Sequence, residues 1–143
     1  MHTIRTILKN KKSGEVWSVG PDETVLEAIT RMARLGIGAL LVMEGERLVG
    51  IVSERDYARK IILQGRRSAE TRVAEVMTRE VATATEDMTA QQCLGMMTQG
   101  FFRHLPVMDG ERVIGLVSIG DLVKAVIADQ QEVIEQLERY VTG

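Results

Sequence analysis

Two stretches of the chain carry the same succession of apolar and polar positions. Val42–Asp56 reads VMEGERLVGIVSERD, and 65 residues later Val107–Asp121 reads VMDGERVIGLVSIGD. Each has two apolar runs split by a polar turn containing Gly45 or Gly110, which predicts a β-hairpin with the glycine at positive φ. Upstream, Val25, Ala28, Ile29 and Met32 follow helical spacing, as do Cys93, Leu94, Met96 and Met97. Each of these helices opens on a capping pattern, Thr24-x-x-Glu27 and Thr89-x-x-Gln92. A short extended segment precedes each helix (VWSVGP and VATATE), and a further helix follows each hairpin. The first of these runs from Ser53 to a C-cap at Gly65. The second begins at Ser118 and continues through IADQQEVIEQLERYV as one long C-terminal helix.

Val16–Asp56 aligns with Val81–Asp121 without a gap. The identities concentrate at the end, in Leu40, Val42, Met43, Gly45, Glu46, Arg47, Gly50, Val52, Ser53 and Asp56. Two copies of this length are too few for a solenoid and imply a pseudo-two-fold pair. Sheets this short are not stable alone, so the copies are expected to pack through them. The fold class is therefore α/β (α+β), with two βαββα units. The expected divisions are a basic arm at 1–12, repeats at 13–65 and 79–128, a connector at 66–78 that ends in a short helix, and a C-terminal extension at 129–143.

Composition narrows the function. The 143 residues are 45% hydrophobic, 27% charged and 3% aromatic, with formal net charge −2. That balance lacks the basic excess of a nucleic-acid binder and offers few rings for base stacking. No run approaches the roughly 18 apolar residues of a membrane helix. MHTIRTILKNKKSG lacks the apolar core of a secretory signal. It reads as an amphipathic helix (Ile4, Ile7, Leu8) rather than an organelle-targeting remnant. A single cysteine, Cys93, excludes an intramolecular disulfide and points to a reducing cytoplasm.

The segments GIVSxxD and GLVSxxD, RHLPV at Arg103–Val107, and EVMT before the second copy resemble the cystathionine-β-synthase (CBS) domain over residues 13–128. Together with SERDYARK, they are similar to small stand-alone proteins built of two such domains. The resemblance implies a non-catalytic regulatory module that binds an adenine nucleotide (AMP, ADP, ATP or NAD), and less readily S-adenosylmethionine, in clefts between repeats. It also implies a homodimer of CBS pairs that acts on a protein effector, with no nucleic-acid or membrane partner. Carried over by position, one cleft takes Ser53, Glu54, Arg55 and Asp56 with Thr83, Ala84, Arg103, His104, Leu105 and Pro106. The other takes Ser118, Gly120 and Asp121 with Ser18, Val19, Gly20, Gly38, Ala39, Leu40 and Leu41.

The copies differ where charge matters. Arg55 aligns with Gly120, Arg103 with Gly38, and His104 with Ala39. A guanidinium's fork of donors suits phosphate, so the first cleft is expected to be the stronger phosphate site. The second would borrow charge from Lys9, Lys11 or Lys12. Ser53-x-x-Asp56 and Ser118-x-x-Asp121 can be read as helix caps or as acceptors for a ribose diol. Capping boxes prefer Glu or Gln at the third position, and the shorter Asp in both copies favours the diol.

Other groups read more plainly. His2 and His104 have no ligand cluster around them, so no metal site is expected. Cys93 lies on an apolar helix face as core, and Met77, Met88, Met96, Met97 and Met108 read as core or interface filler. Trp17 is expected at an edge or interface. Val123, Val126, Ile127, Val133, Ile134, Leu137 and Val141 form the apolar face of the last helix, which either covers its own module or packs against a partner subunit, the dimer contact being favoured.

Overall fold

The computed structural model describes residues 2–11 and 16–142. Lys12 and the expected boundary between arm and first repeat lie outside these residues. The chain divides into two compact units. One holds the first repeat and connector, 16–82, with 111–113; the other holds 2–11, 83–110 and 114–142. Among the described residues no helix is long and apolar enough to cross a membrane.

In the first-repeat unit a three-stranded sheet has the order β1-β2-β3. β1 (Ser18–Val19) runs parallel to β2 (Ala39–Glu44), and β3 (Arg47–Ser53) returns antiparallel. As the central strand, β2 buries successive residues on both faces, with Ala39, Leu40, Leu41 and Val42 all at most 1% exposed. Burying a side chain the size of Leu40 contributes about 2 kcal/mol. The hairpin turns at Gly45, whose φ is +63°.

Helix α2 (Val25–Leu35) lies over this sheet. Thr24 caps its start by accepting from the Glu27 N–H at 3.2 Å. Val25, Ala28 and Met32 face inward, and Gly36 ends the helix at φ 68°. The cluster also takes in Val19, Leu40, Val42, Val52, Ile61, Val73, Val76 and Met77, with Trp17 half-buried against it.

The helix after β3 spans the expected residues but is not uniformly α. A single turn, α3 (Glu54–Tyr57), widens into a π-helical turn over Ala58–Ile62 before Gly65 reverses the chain at φ +66°. The short helix expected in the connector is of the 3-10 type, Val73–Glu75, preceded by another 3-10 turn at Ser68–Glu70. The Val73–Glu75 turn is pinned by the Val73 N–H on the Glu23 carbonyl at 2.9 Å and the Ala74 N–H on the Pro21 carbonyl at 3.0 Å. Its Val73 and Val76 are buried.

The second unit repeats this plan with α4 (Ala90–Gly100), β4 (His104–Asp109), β5 (Arg112–Ser118) and α5 (Ile119–Thr142). Thr89 and Gln92 complete a reciprocal capping box at α4, with bonds of 3.1 and 2.9 Å. The leading strand shrinks to one parallel bridge, Ala84 to Val107, so the β4–β5 sheet has two strands. Cys93 and Met97 face the core. Where α2 ends on Gly36, α4 ends on Phe101 at φ 57°.

The N-terminal segment is a structural part of this second unit. Helix α1 (Ile4–Asn10) buries Ile4 and Ile7. The Ile4 N–H donates to the Met88 carbonyl at 2.9 Å and the Arg5 N–H to the Glu86 carbonyl at 3.1 Å. These bonds match those of the connector to Glu23 and Pro21 in the first unit. Ile4, Ile7 and Leu8 thus stand where Val73, Val76 and Met77 stand. Each repeat is completed by the segment that precedes the other one.

Candidate functional site

In the first-repeat unit, β3 delivers Ser53 in an extended conformation to the start of α3. The Glu54 N–H donates to the Gly38 carbonyl at 3.0 Å and fastens the helix start to the loop before β2. Asp56 folds back on Ser53. Its Oδ2 accepts from the Ser53 N–H at 2.9 Å and the Ser53 hydroxyl at 3.1 Å, while its own N–H donates to Ser53 Oγ at 3.2 Å. The shorter Asp therefore completes a reciprocal cap, and the preference for Glu or Gln does not separate capping from binding here. Lys60, one helical turn on, reaches Asp56 Oδ1 at 3.3 Å and donates to the Val76 carbonyl at 2.6 Å.

The second unit builds the same corner. The Ile119 N–H donates to the Arg103 carbonyl at 2.8 Å, the Ser118 N–H to Asp121 Oδ2 at 2.9 Å, and the Asp121 N–H to Ser118 Oγ at 3.2 Å. Position 125, the counterpart of Lys60, is a buried alanine. The cation comes instead from the end of α1. Lys11 Nζ lies 3.1 Å from Asp121 Oδ2 and donates to the Leu116 carbonyl at 2.6 Å. Burial alone would raise the Asp121 carboxyl. The Ser118 N–H and the Lys11 ammonium outweigh it and hold Asp121 below the usual aspartate value.

His104, at the start of β4, sits in the same field. Burial lowers its basicity, the Asp121 charge raises it, and Lys11 and Arg103 lower it again, for a net depression. His104 thus lies near Asp121 and Lys11 within its own unit. Arg103 and Thr83 are exposed, as are Glu54 and Arg55.

The remaining carried-over positions are mostly scaffold. Val19, Ala39, Leu40, Leu41, Ala84, Leu105 and Pro106 are buried. The Ser18 carbonyl accepts from Arg31 at 2.7 Å, and the Gly20 N–H donates to Glu23 at 2.6 Å. The Cys93 thiol is buried and pushed up by that burial, which suppresses thiolate chemistry. Among the described residues no cluster of His, Cys, Asp and Glu could hold a metal ion. What the geometry provides is one carboxylate per repeat, held at a helix start by a serine and a lysine. Such a group accepts hydrogen bonds from a neutral diol without needing a proton partner.

Sequence reading missed Lys60, and it named Lys11 only as one of three lysines that could lend charge. The signal for α1 was present: Ile4-x-x-Ile7-Leu8 has the apolar spacing of Val73-x-x-Val76-Met77. It falls outside the aligned repeats and at a different offset.

Comparison with known proteins agrees with this duplicated geometry. The pattern of the CBS domain matches residues 11–63 and again 73–128. The mitochondrial CBS domain-containing protein CBSX3 of Arabidopsis thaliana is 39% identical over 150 residues, spanning 99% of this chain and 72% of that protein. A solved CBS-domain structure from Burkholderia ambifaria MC40-6 superposes with a TM-score of 0.87 at 50% identity, covering 90% of this chain and 96% of the other. The CBS domain pair of protein MJ0100, solved with 5-methylthioadenosine and S-adenosyl-L-methionine, superposes at 0.79 with 25% identity, covering 90% and 98%. With its family pattern present twice and both Ser-x-x-Asp corners built alike, the chain belongs to the CBS domain family as a tandem pair.

Proposed function

We propose that this CBS pair is a non-catalytic sensor of an adenosine-containing ligand, with Asp56 and Asp121 accepting the ribose diol. The observation that carries the reading is the duplicated corner: Ser53 with Asp56 and Ser118 with Asp121 hold a carboxylate in the same way at the same place in each repeat. MJ0100 was solved with two adenosine derivatives, which supports the ligand class. The basic groups Arg55, Arg103 and Lys11 favour a phosphorylated member, AMP, ADP, ATP or NAD, over S-adenosylmethionine. The buried, single Cys93 supports a reducing compartment, and we place the protein in the cytoplasm.

A ligand that binds only the native form raises the melting temperature. A thermal-shift panel of AMP, ADP, ATP, NAD and S-adenosylmethionine therefore tests the reading. A rise with a nucleotide that is lost in Asp56→Asn/Asp121→Asn supports it, and no shift with any of the five overturns it.

A second reading rests on α5. Ile127, Val133, Ile134, Leu137 and Val141 are exposed along its outer length, and this favours a protein contact, either a homodimer or an effector. A pair whose binding corners are vestigial would keep that surface and give no nucleotide shift.

A further inference from the structure

We propose that Lys11 is a phosphate-binding residue of the Asp121 corner, standing in for the lysine that the second repeat lacks. This rests on the nucleotide reading above and deepens it. In the first repeat the ammonium beside the carboxylate comes from the same helix, four residues on, as Lys60. In the second, position 125 is an alanine only 7% exposed, and α1 packs against α5. An alanine carries no amine, and the cation beside Asp121 comes from the end of α1 instead.

Each amine joins its carboxylate to a main-chain carbonyl, but from a different side: Lys60 meets Asp56 Oδ1 and the connector, whereas Lys11 meets Asp121 Oδ2, the oxygen that also accepts from Ser118, and strand β5. Lys60 bridges Asp56 to the Val76 carbonyl at 2.6 Å, and Lys11 bridges Asp121 to the Leu116 carbonyl at 2.6 Å. α1 is an anchored element, which makes Lys11 a fixed charge. Ile4 and Ile7 are buried, Arg5 pairs with Asp87 at 3.0 Å, and the His2 N–H donates to Asp129 at 3.0 Å.

A lysine ammonium has three N–H donors, and among the described residues a carbonyl and a carboxylate take two of Lys11's. The third can serve an anion that approaches Asp121. Lys11, Arg103 and His104 share one field with that single carboxylate. The corner thus combines an acceptor for a diol with two cationic donors, Lys11 and Arg103, which is the chemistry of a ribose phosphate. Repeat 1 adds Arg55 beside its aspartate, whereas repeat 2 has Gly120. Lys11 is accordingly the residue that lets the second corner tell a nucleotide from a nucleoside.

The test is calorimetric titration of the full chain in an Asp56→Asn background, so that binding reports the Asp121 corner. AMP and adenosine are compared in the background protein, in Lys11→Met and in Lys11→Arg, each checked for an unchanged melting temperature. The expected result is a loss of AMP affinity of roughly tenfold or more in Lys11→Met, a much smaller loss for adenosine, and recovery in Lys11→Arg. Unchanged AMP affinity overturns the proposal. Equal losses for AMP and adenosine also overturn it, since Lys11 would then only orient Asp121. If the unsubstituted chain binds neither ligand, the nucleotide reading fails first and this proposal with it.

Discussion

Gly50 and Gly115 occupy the same place in the two hairpins, and each lies against a segment from outside its own repeat. A β-carbon on Gly50 would stand 2.7 Å from Met77 Sδ and 2.8 Å from the Thr78 carbonyl oxygen. On Gly115 it would stand 2.6 Å from Leu8 Cδ2. The obstacle at Gly50 includes backbone that is itself bonded to Ile51. The obstacle at Gly115 is the end of one side chain. Gly50→Ala is therefore expected to cost about 2–3 kcal/mol and Gly115→Ala about 1 kcal/mol, measured by urea unfolding. Adding Leu8→Ala should relieve part of the second loss, and strictly additive losses would show that the two residues do not meet.

Phe101 ends α4 in a left-handed conformation that costs an ordinary residue about 1–2 kcal/mol. Gly36 ends α2 in the same conformation without that cost. The flexibility gained by the unfolded chain offsets part of the benefit of a glycine. Phe101→Gly is expected to raise stability by about 0.5–1 kcal/mol, and Gly36→Ala to lower it by a similar amount. A fall in melting temperature for Phe101→Gly would mean that the exposed ring contributes more than the backbone strain removes.

Acid should weaken the second unit in two stages. His104 is less basic folded than unfolded, mainly through burial. Its contribution is complete above the ordinary histidine value of 6.5 and is lost as pH falls from there through the lower folded value. Asp121 is held below the ordinary aspartate value of 3.8, so its contribution is present above that pH and disappears on further acidification. Unfolding free energies measured from pH 8 to pH 3 should therefore decline first below about 6.5 and again below about 4. His104→Gln should remove the earlier decline alone. An unchanged profile in that variant would assign the decline to another group.

The outer face of α5 carries Val123, Ile127, Ile134, Leu137 and Val141 in one helical stripe, all exposed. If the stripe joins two copies, Ile127→Asp with Leu137→Asp should convert the dimer to a folded monomer. Light scattering would read the mass and circular dichroism the fold. A wild-type chain that is already monomeric would reserve the stripe for a different protein.

What the sequence made legible was local. The hairpins, the capping threonines and both Ser-x-x-Asp corners are set by residues within a few positions of each other, and their patterns survive duplication. The π-helical turn after Tyr57 and the left-handed Phe101 were not legible, because neither has a residue signature that competes with ordinary helical spacing. The distance between Lys11 and Asp121 in the chain hid their pairing. So did the arithmetic of the alignment, since Ile4 matches Val73 while Val16 matches Val81. A gap-free comparison of the repeats stops short of the segment that supplies the cation.

That crossed arrangement has a consequence for how the molecule is made. The segment that carries α1 is made before either repeat and has its partners at Glu86, Met88 and Asp129, so it must wait for most of the second unit before it can dock. The first repeat needs only its own connector and can close early, while the second unit closes later by capturing a helix made before either repeat. Closing so long a loop is slow, though the entropy grows only with the logarithm of its length. A gene cut after the connector would therefore leave the first repeat with the segment that completes it and strip the second of α1.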